Sequence, residues 1–295
     1  METMGGVVAA LATDVGRVRA HNEDAGLITS DLVAVADGMG GHAAGEVASS
    51  LAVEALREVG ESAGSDEAGG LRPKDVLDAV QAANRAILQS VARNPEQTGM
   101  ATTLAGLARV TVGGSPHWAV FNIGDSRVYR VVDGRLTQVS TDHSEVAELV
   151  SLGLLTPQEA LVHPARNIVT RCLGRDPLEP VDSWVFPPHA GERFLLCTDG
   201  LTNELRDPTI GRILGDGDDP QAIADRLVAA AVDAGGRDNV TVVVVLGSPV
   251  ADGGASHEAD EETAPRNGSP EGIQSTGTPG RIFFSHEAIS PQPGS

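Results

Sequence analysis

Four aspartates stand where strongly apolar runs begin or end, and that placement limits what the chain can fold into. Asp37 follows LVAVA, Asp125 follows VFNIG, Asp199 follows FLLCT, and Asp238 comes just before VTVVVV. Short runs this rich in Val, Leu and Ala, bounded by turn-forming residues, read as buried strands. A carboxylate at the end of a buried strand is costly unless it is paired or bound to a cation. Several that converge raise one another's pKa values unless a cation stands between them. Oxygen ligands of this kind suit Mg2+ or Mn2+. Any one of these Asp-Gly or Gly-Asp pairs alone reads as a turn, so the information lies in the joint pattern.

The rest of the chain supplies layers to bury those strands. Val7 to Ala12 and Leu32 to Ala36 read as strands, followed by a helix around Ala43 to Val59 with Val47, Ala48, Leu51, Ala55 and Val59 on one stripe. A second helix opens at Pro73 and places Val76, Leu77, Val80, Ala83, Ile87, Leu88 and Val91 along one face. Thr102 to Val112, Trp118 to Ile123, Ser126 to Val132 and Leu136 to Val139 read as an antiparallel meander, its last turn at Asp133-Gly134. Residues 144–174 read as short helices and loop; strands follow at 183–186 and 194–198, a helix at 223–232 and a buried strand at 240–246. Strands in blocks and helices in pairs predict an α+β fold with antiparallel sheets between helix layers. With aromatics at 3%, its core must be built mainly from Ala, Val, Leu and Ile.

Charge and cysteine content exclude some functions. A net charge of -20 repels nucleic acid and anionic membrane surfaces. Cys172 and Cys197 have no CxxC spacing, so neither a zinc site nor a disulfide is expected, and a reducing cytoplasm fits. The N-terminus lacks a basic region before its short apolar stretch, and no run of about 18 apolar residues follows, so the expectation is a soluble cytoplasmic chain. Residues 248–295 carry Gly, Pro, Ser and acids without periodicity and read as a disordered tail after a domain of residues 1–247.

The segment DGMGGH, Asp37 to His42, could be taken for a phosphate loop, but it has no following Lys and no GxGxxG spacing. Its glycines instead let backbone carbonyls approach a cation. Together with TDVGRVRAHNED from Thr13, GMATTL from Gly99, NIGDSRVY from Asn122, LTQVSTDHS from Leu136, CTDGL from Cys197 and GRDNVTVVVV from Gly236, this segment resembles the metal-dependent protein phosphatases of type 2C, the PPM family, and most of all its bacterial branch. The motifs occur in the family's order and span residues 5–247.

The resemblance implies a four-layer α-β-β-α sandwich that hydrolyses phosphoserine and phosphothreonine in proteins by attack of a water activated between two Mn2+ or Mg2+ ions. Asp37 would bridge the ions, the Gly38 carbonyl would be a ligand, and Asp199 and Asp238 would hold the first ion. Glu23 and Asp24 would orient water around the second, with Asn239 in the same outer layer. Asp125 would serve a weaker third ion, for which Asn203 stands where the family usually has Asp. Arg19, whose planar fork can hold two phosphate oxygens, and His42, placed to protonate the departing alkoxide, would be catalytic. Residues 145–174 would form the variable flap that gates or recognises substrate. The expected partners are phosphorylated proteins and a Ser/Thr kinase acting on them, with no nucleic acid or membrane, for a monomeric enzyme. The rival readings are a catalytically silent relative that binds a phosphoprotein, and a phosphatase narrowed to one regulatory partner.

Overall fold

The computed structural model describes residues 2–4, 7–41, 44–63 and 70–247. The expected tail at 248–295 and His42 lie outside the described residues. In chain order the elements are β1 (Glu2–Met4), β2 (Val7–Asp14), β3 (Asp24–Ile28), β4 (Leu32–Met39), α1 (Ala44–Ala63), α2 (Pro73–Arg93), β5 (Ala101–Thr102), β6 (Leu104–Val112), β7 (Ser115–Ile123), β8 (Arg127–Val132) and β9 (Arg135–Gln138). Then come α3 (Glu145–Ser151), α4 (Pro157–Ala160), β10 (Asp182–Phe186), β11 (Arg193–Cys197), α5 (Asp199–Thr202), α6 (Asp207–Leu214), α7 (Pro220–Ala234) and β12 (Val240–Leu246).

The strands form two antiparallel sheets, ordered β1-β2-β12-β11-β8-β9 and β10-β7-β6-β4-β3, with β5 paired to the end of β4. Side chains alternate across a strand, and the central strands show why both their faces are apolar. In β12, Val242, Val244 and Leu246 pack toward α5, α6 and α7, while Val243 and Val245 face the other sheet. In β4, Leu32, Ala34 and Ala36 pack toward α1 and α2, while Val33 and Val35 face inward. Helices therefore cover both outer faces, which makes the four-layer α-β-β-α sandwich. Each fully buried Val or Leu contributes about 1.5–3 kcal/mol, so these central strands are the rigid frame on which the site is mounted.

The expected meander is corrected at one point. β6 and β7 lie in one sheet, but β8 and β9 lie in the other. The chain crosses between sheets at Gly124, whose φ of 111° suits only glycine and whose added Cβ would fall 2.6 Å from the Thr103 side chain. That crossing carries Asp125 and Ser126. Four elements were also not expected from sequence: β1, β3, α5 and α6.

Candidate metal centre

The expected acids meet at one end of the sandwich. Asp24 on β3 lies directly opposite Asp37 on β4 in the strand register. Asp37 feels the charges of Asp24, Asp199, Asp125 and Asp238 together, and its carboxyl neighbours that of Asp199. Asp199 opens α5 at the end of β11, and Asp238 precedes the adjacent strand β12. Close backbone approach brings these two together: a Cβ on Gly200 would fall 1.9 Å from the Asn239 carbonyl oxygen. Likewise a Cβ on Gly38 would lie 2.1 Å from the Gly45 carbonyl oxygen, so the end of β4 sits against the start of α1 with no room for a side chain. The Gly38 N–H donates to the Glu23 carbonyl at 3.1 Å.

Burial and mutual repulsion set the protonation of this cluster. Desolvation, then the hydrogen bonds and charges of its neighbours, leave Asp24 raised to about 7. Burial and the charge of Asp199 push Asp125 up to about 8. Asp199 rises to about 6 through burial and Asp238, and burial and its acidic neighbours hold Asp37 well above the usual carboxylate range. One oxygen of this cluster has no partner at all: Asp199 Oδ1 is buried without a hydrogen bond. A buried, unpartnered carboxylate oxygen among repelling acids fits a cation. Among the described residues no three acidic, His or Cys side chains close on a single point.

A cation reaches into the acids. Arg19 Nη2 donates to Asp238 Oδ2 at 2.8 Å, with Asp37 and Glu23 also within its electrostatic range. Half of its side chain remains exposed, which leaves donors of the guanidinium free to face solvent. The loop bearing Arg19 is held by Asn239, whose Nδ2 donates to the carbonyls of Val15 and His21 while Oδ1 accepts from the Glu23 N–H. Asn239 thus acts on the site through this loop, its amide being fully engaged there. Asp24 accepts from Thr198 Oγ1 at 2.8 Å, which ties β3 to the strand that delivers Asp199.

The family description Protein phosphatase 2C matches residues 17–223. The chain belongs to the protein phosphatase 2C family. It is 39% identical over 264 residues to the serine/threonine protein phosphatase PstP of Mycobacterium tuberculosis, covering 87% of this chain and 49% of that one. The chain thus spans about half the length of that relative. It is 34% identical to the serine/threonine phosphatase Stp of Listeria welshimeri, with 80% of this chain and 94% of that one covered. The crystal structure of the PstP catalytic domain in complex with two manganese ions superposes with a TM-score of 0.72 at 40% identity, covering 81% of this chain and 97% of that one.

Asn203 faces this acidic cluster. Its Nδ2 donates to Asp199 Oδ2 at 2.9 Å, so the amide occupies one oxygen of the carboxylate it faces and adds no charge. His143, left without a role by the sequence, proves to fix the Asp125 turn. It is buried, its Nδ1 accepts from the Gly124 N–H at 3.1 Å, and its own N–H donates to the Gly124 carbonyl at 2.9 Å. Nε2 lies 3.3 Å from Asp182, and the His143 carbonyl accepts from the Thr170 N–H at 2.9 Å. Glu204 is a second unforeseen brace. Its buried carboxylate accepts from Arg237 Nε at 2.8 Å and from the Arg237 N–H at 3.1 Å, which fixes the Asp238 loop against α5. Nothing in the local sequence marks either residue, because each acts on a segment distant in the chain. Cys197 is buried, and desolvation pushes its thiol up to about 12, in accord with an inert packing residue.

Proposed function

We propose that the chain is a metal-dependent protein phosphatase that hydrolyses phosphoserine and phosphothreonine monoesters of proteins. The observation that carries this reading is the convergence of Asp24, Asp37, Asp125, Asp199 and Asp238 beside Arg19, with one Asp199 oxygen unpartnered. Asp37, Asp199 and Asp238, with the Gly38 carbonyl, would hold two divalent ions, Mn2+ or Mg2+; Asp125 would serve a weaker third. Ions bound there supply positive charge against the phosphoryl group and a water acidic enough to react at neutral pH.

The chain's own groups do the rest. Arg19 would turn its free donors to two phosphate oxygens and fix the ester in line for attack; a bidentate fork suits that better than an ammonium group. Asp24 and Glu23 would accept hydrogen bonds from water and hold it in place. His42 would give a proton to the departing Ser or Thr oxygen, a step worth typically about 10²- to 10⁴-fold. Asp37, Asp199, Asp238 and Arg19 are all present, which favours an active enzyme over a silent binding relative. Its place would be the cytoplasm, acting as a monomer opposite a Ser/Thr kinase.

Phosphate release from matched phosphoserine, phosphothreonine and phosphotyrosine peptides tests the reading. Turnover of the first two in Mn2+, and none with excess EDTA, is expected. Peptide binding without phosphate release in Mn2+ would instead support the silent relative.

A further inference from the structure

A cavity of about 680 Å3 opens beside the carboxylates, bounded by Asp125 and Asp199 at one end and by the flap helices α3 and α4 on one side. Val146, Val150, Leu161 and Leu205 supply its apolar lining, and three arginines face it: Arg127, Arg166 and Arg206. Arg127 is fully occupied, with Nε and Nη2 on Asp142 and Nη1 on the Tyr129 hydroxyl. Arg166 and Arg206 are exposed, and neither makes an ion pair or side-chain hydrogen bond among the described residues. Arg17, Arg19, Arg72, Arg109, Arg130 and Arg193 hold carboxylates, whereas Arg85, Arg93, Arg135 and Arg212 share the unpaired state of Arg166 and Arg206 but do not line this cavity. Two unclaimed guanidinium groups on a cavity next to the reaction centre are positioned for an anion that the chain does not itself supply.

We propose that this cavity receives the substrate residues flanking the phosphorylated Ser or Thr, and that Arg206 and Arg166 select an anionic side chain there. The inference rests on the phosphatase reading above. The volume lies within the range of about 300–1,000 Å3 typical of ligand sites. The apolar lining takes the aliphatic stem of a flanking side chain while its charged end meets a guanidinium fork. The acidic excess of the whole protein acts weakly here, because at physiological salt charges beyond about 8 Å are screened. Of the acids on the cavity itself, Asp142 is paired with Arg127, Asp207 accepts from the Tyr129 hydroxyl, and Asp125 and Asp199 lie at the metal-facing end. Both a carboxylate and a second phosphate have the required chemistry.

The test uses the full chain with Mn2+ and phosphothreonine peptides that differ only in carrying Ala, Glu, phosphoserine or Lys beside the phosphothreonine, on either flank. Wild type is expected to favour Glu over Lys by about tenfold in kcat/KM on one flank, chiefly through KM, and less so as salt rises. A larger gain with phosphoserine than with Glu assigns a second phosphate as the ligand; an equal gain assigns the carboxylate. Arg206→Lys should keep most of the preference, while Arg206→Glu and, independently, Arg166→Glu should reduce or reverse it. Equal kcat/KM across the peptides on both flanks, or an acidic preference that survives both Glu substitutions, overturns the proposal. Hydrolysis of p-nitrophenyl phosphate by wild type separates the two readings, since that ester has no flanking residue: its absence would refute the phosphatase reading itself.

Discussion

Stripping the ions should invert the usual pH dependence of stability. In the metal-free fold Asp24 titrates near 7, Asp125 near 8 and Asp199 near 6, and burial, with its acidic neighbours, holds Asp37 well above the usual carboxylate range. In the unfolded chain each would titrate near 3.9. The folded values are the higher ones, so the folded state binds protons more tightly. The destabilisation is therefore fully present above about pH 8 and is relieved as pH falls through 8 to 6. Near pH 6.5 Asp24, Asp125 and Asp199 together bind about two more protons folded than unfolded, which corresponds to about 3 kcal/mol gained per pH unit lowered, with Asp37 adding to it. Sharing of protons between Asp37 and Asp199 reduces that, and about 1 kcal/mol per unit is a working floor. Urea unfolding of the EDTA-treated protein between about pH 8.5 and 6 measures the slope. The same series on Asp24→Asn removes the background from the histidines, and its slope should be smaller. With Mn2+ present the trend should reverse, because metal binding requires deprotonated ligands. A metal-free wild type that loses stability as pH falls across that window, at the same slope as Asp24→Asn, would refute the picture of repelling carboxylates.

Two further outcomes follow from the geometry. His143→Ala leaves the Gly124 N–H without its acceptor and should cost about 1–3 kcal/mol of stability. In urea unfolding it should appear as a lower midpoint, accompanied by a raised Mn2+ requirement, since the turn it fixes carries Asp125. Arg19→Ala should lower kcat/KM for a phosphothreonine peptide by about 10- to 100-fold, with Arg19→Lys recovering only part, because one ammonium cannot reproduce a two-point contact.

What could be read from sequence depended on how local the cause was. The strands around Val33 and Val243 were legible because burial on both faces makes an unbroken apolar run. β3 was not: DAGLI contains an acid and a glycine, and it is a strand because β4 pairs with it along its whole length. α5 is a single turn, and α6, DPTIGRIL, carries Pro and Gly that mask a helical pattern. The meander from Leu104 to Gln138 was correct strand by strand, yet the change of sheet at Gly124 depends on its fit against Thr103 and leaves no periodic trace. The candidate ligands were visible because each acid interrupts an apolar run. Their supports were not, because His143, Asn239 and Glu204 are defined by contacts with distant segments.

The central claim, that the aspartate cluster holds ions that drive phosphoester hydrolysis, is tested most directly by phosphate release from a phosphothreonine peptide with added Mn2+. Wild type, Asp37→Asn and Asp199→Asn would be compared, with bound Mn2+ counted in the same samples. The account predicts turnover in wild type only, with both variants losing bound Mn2+ and activity together. Turnover that persists in either variant, or in wild type after chelation, would contradict it.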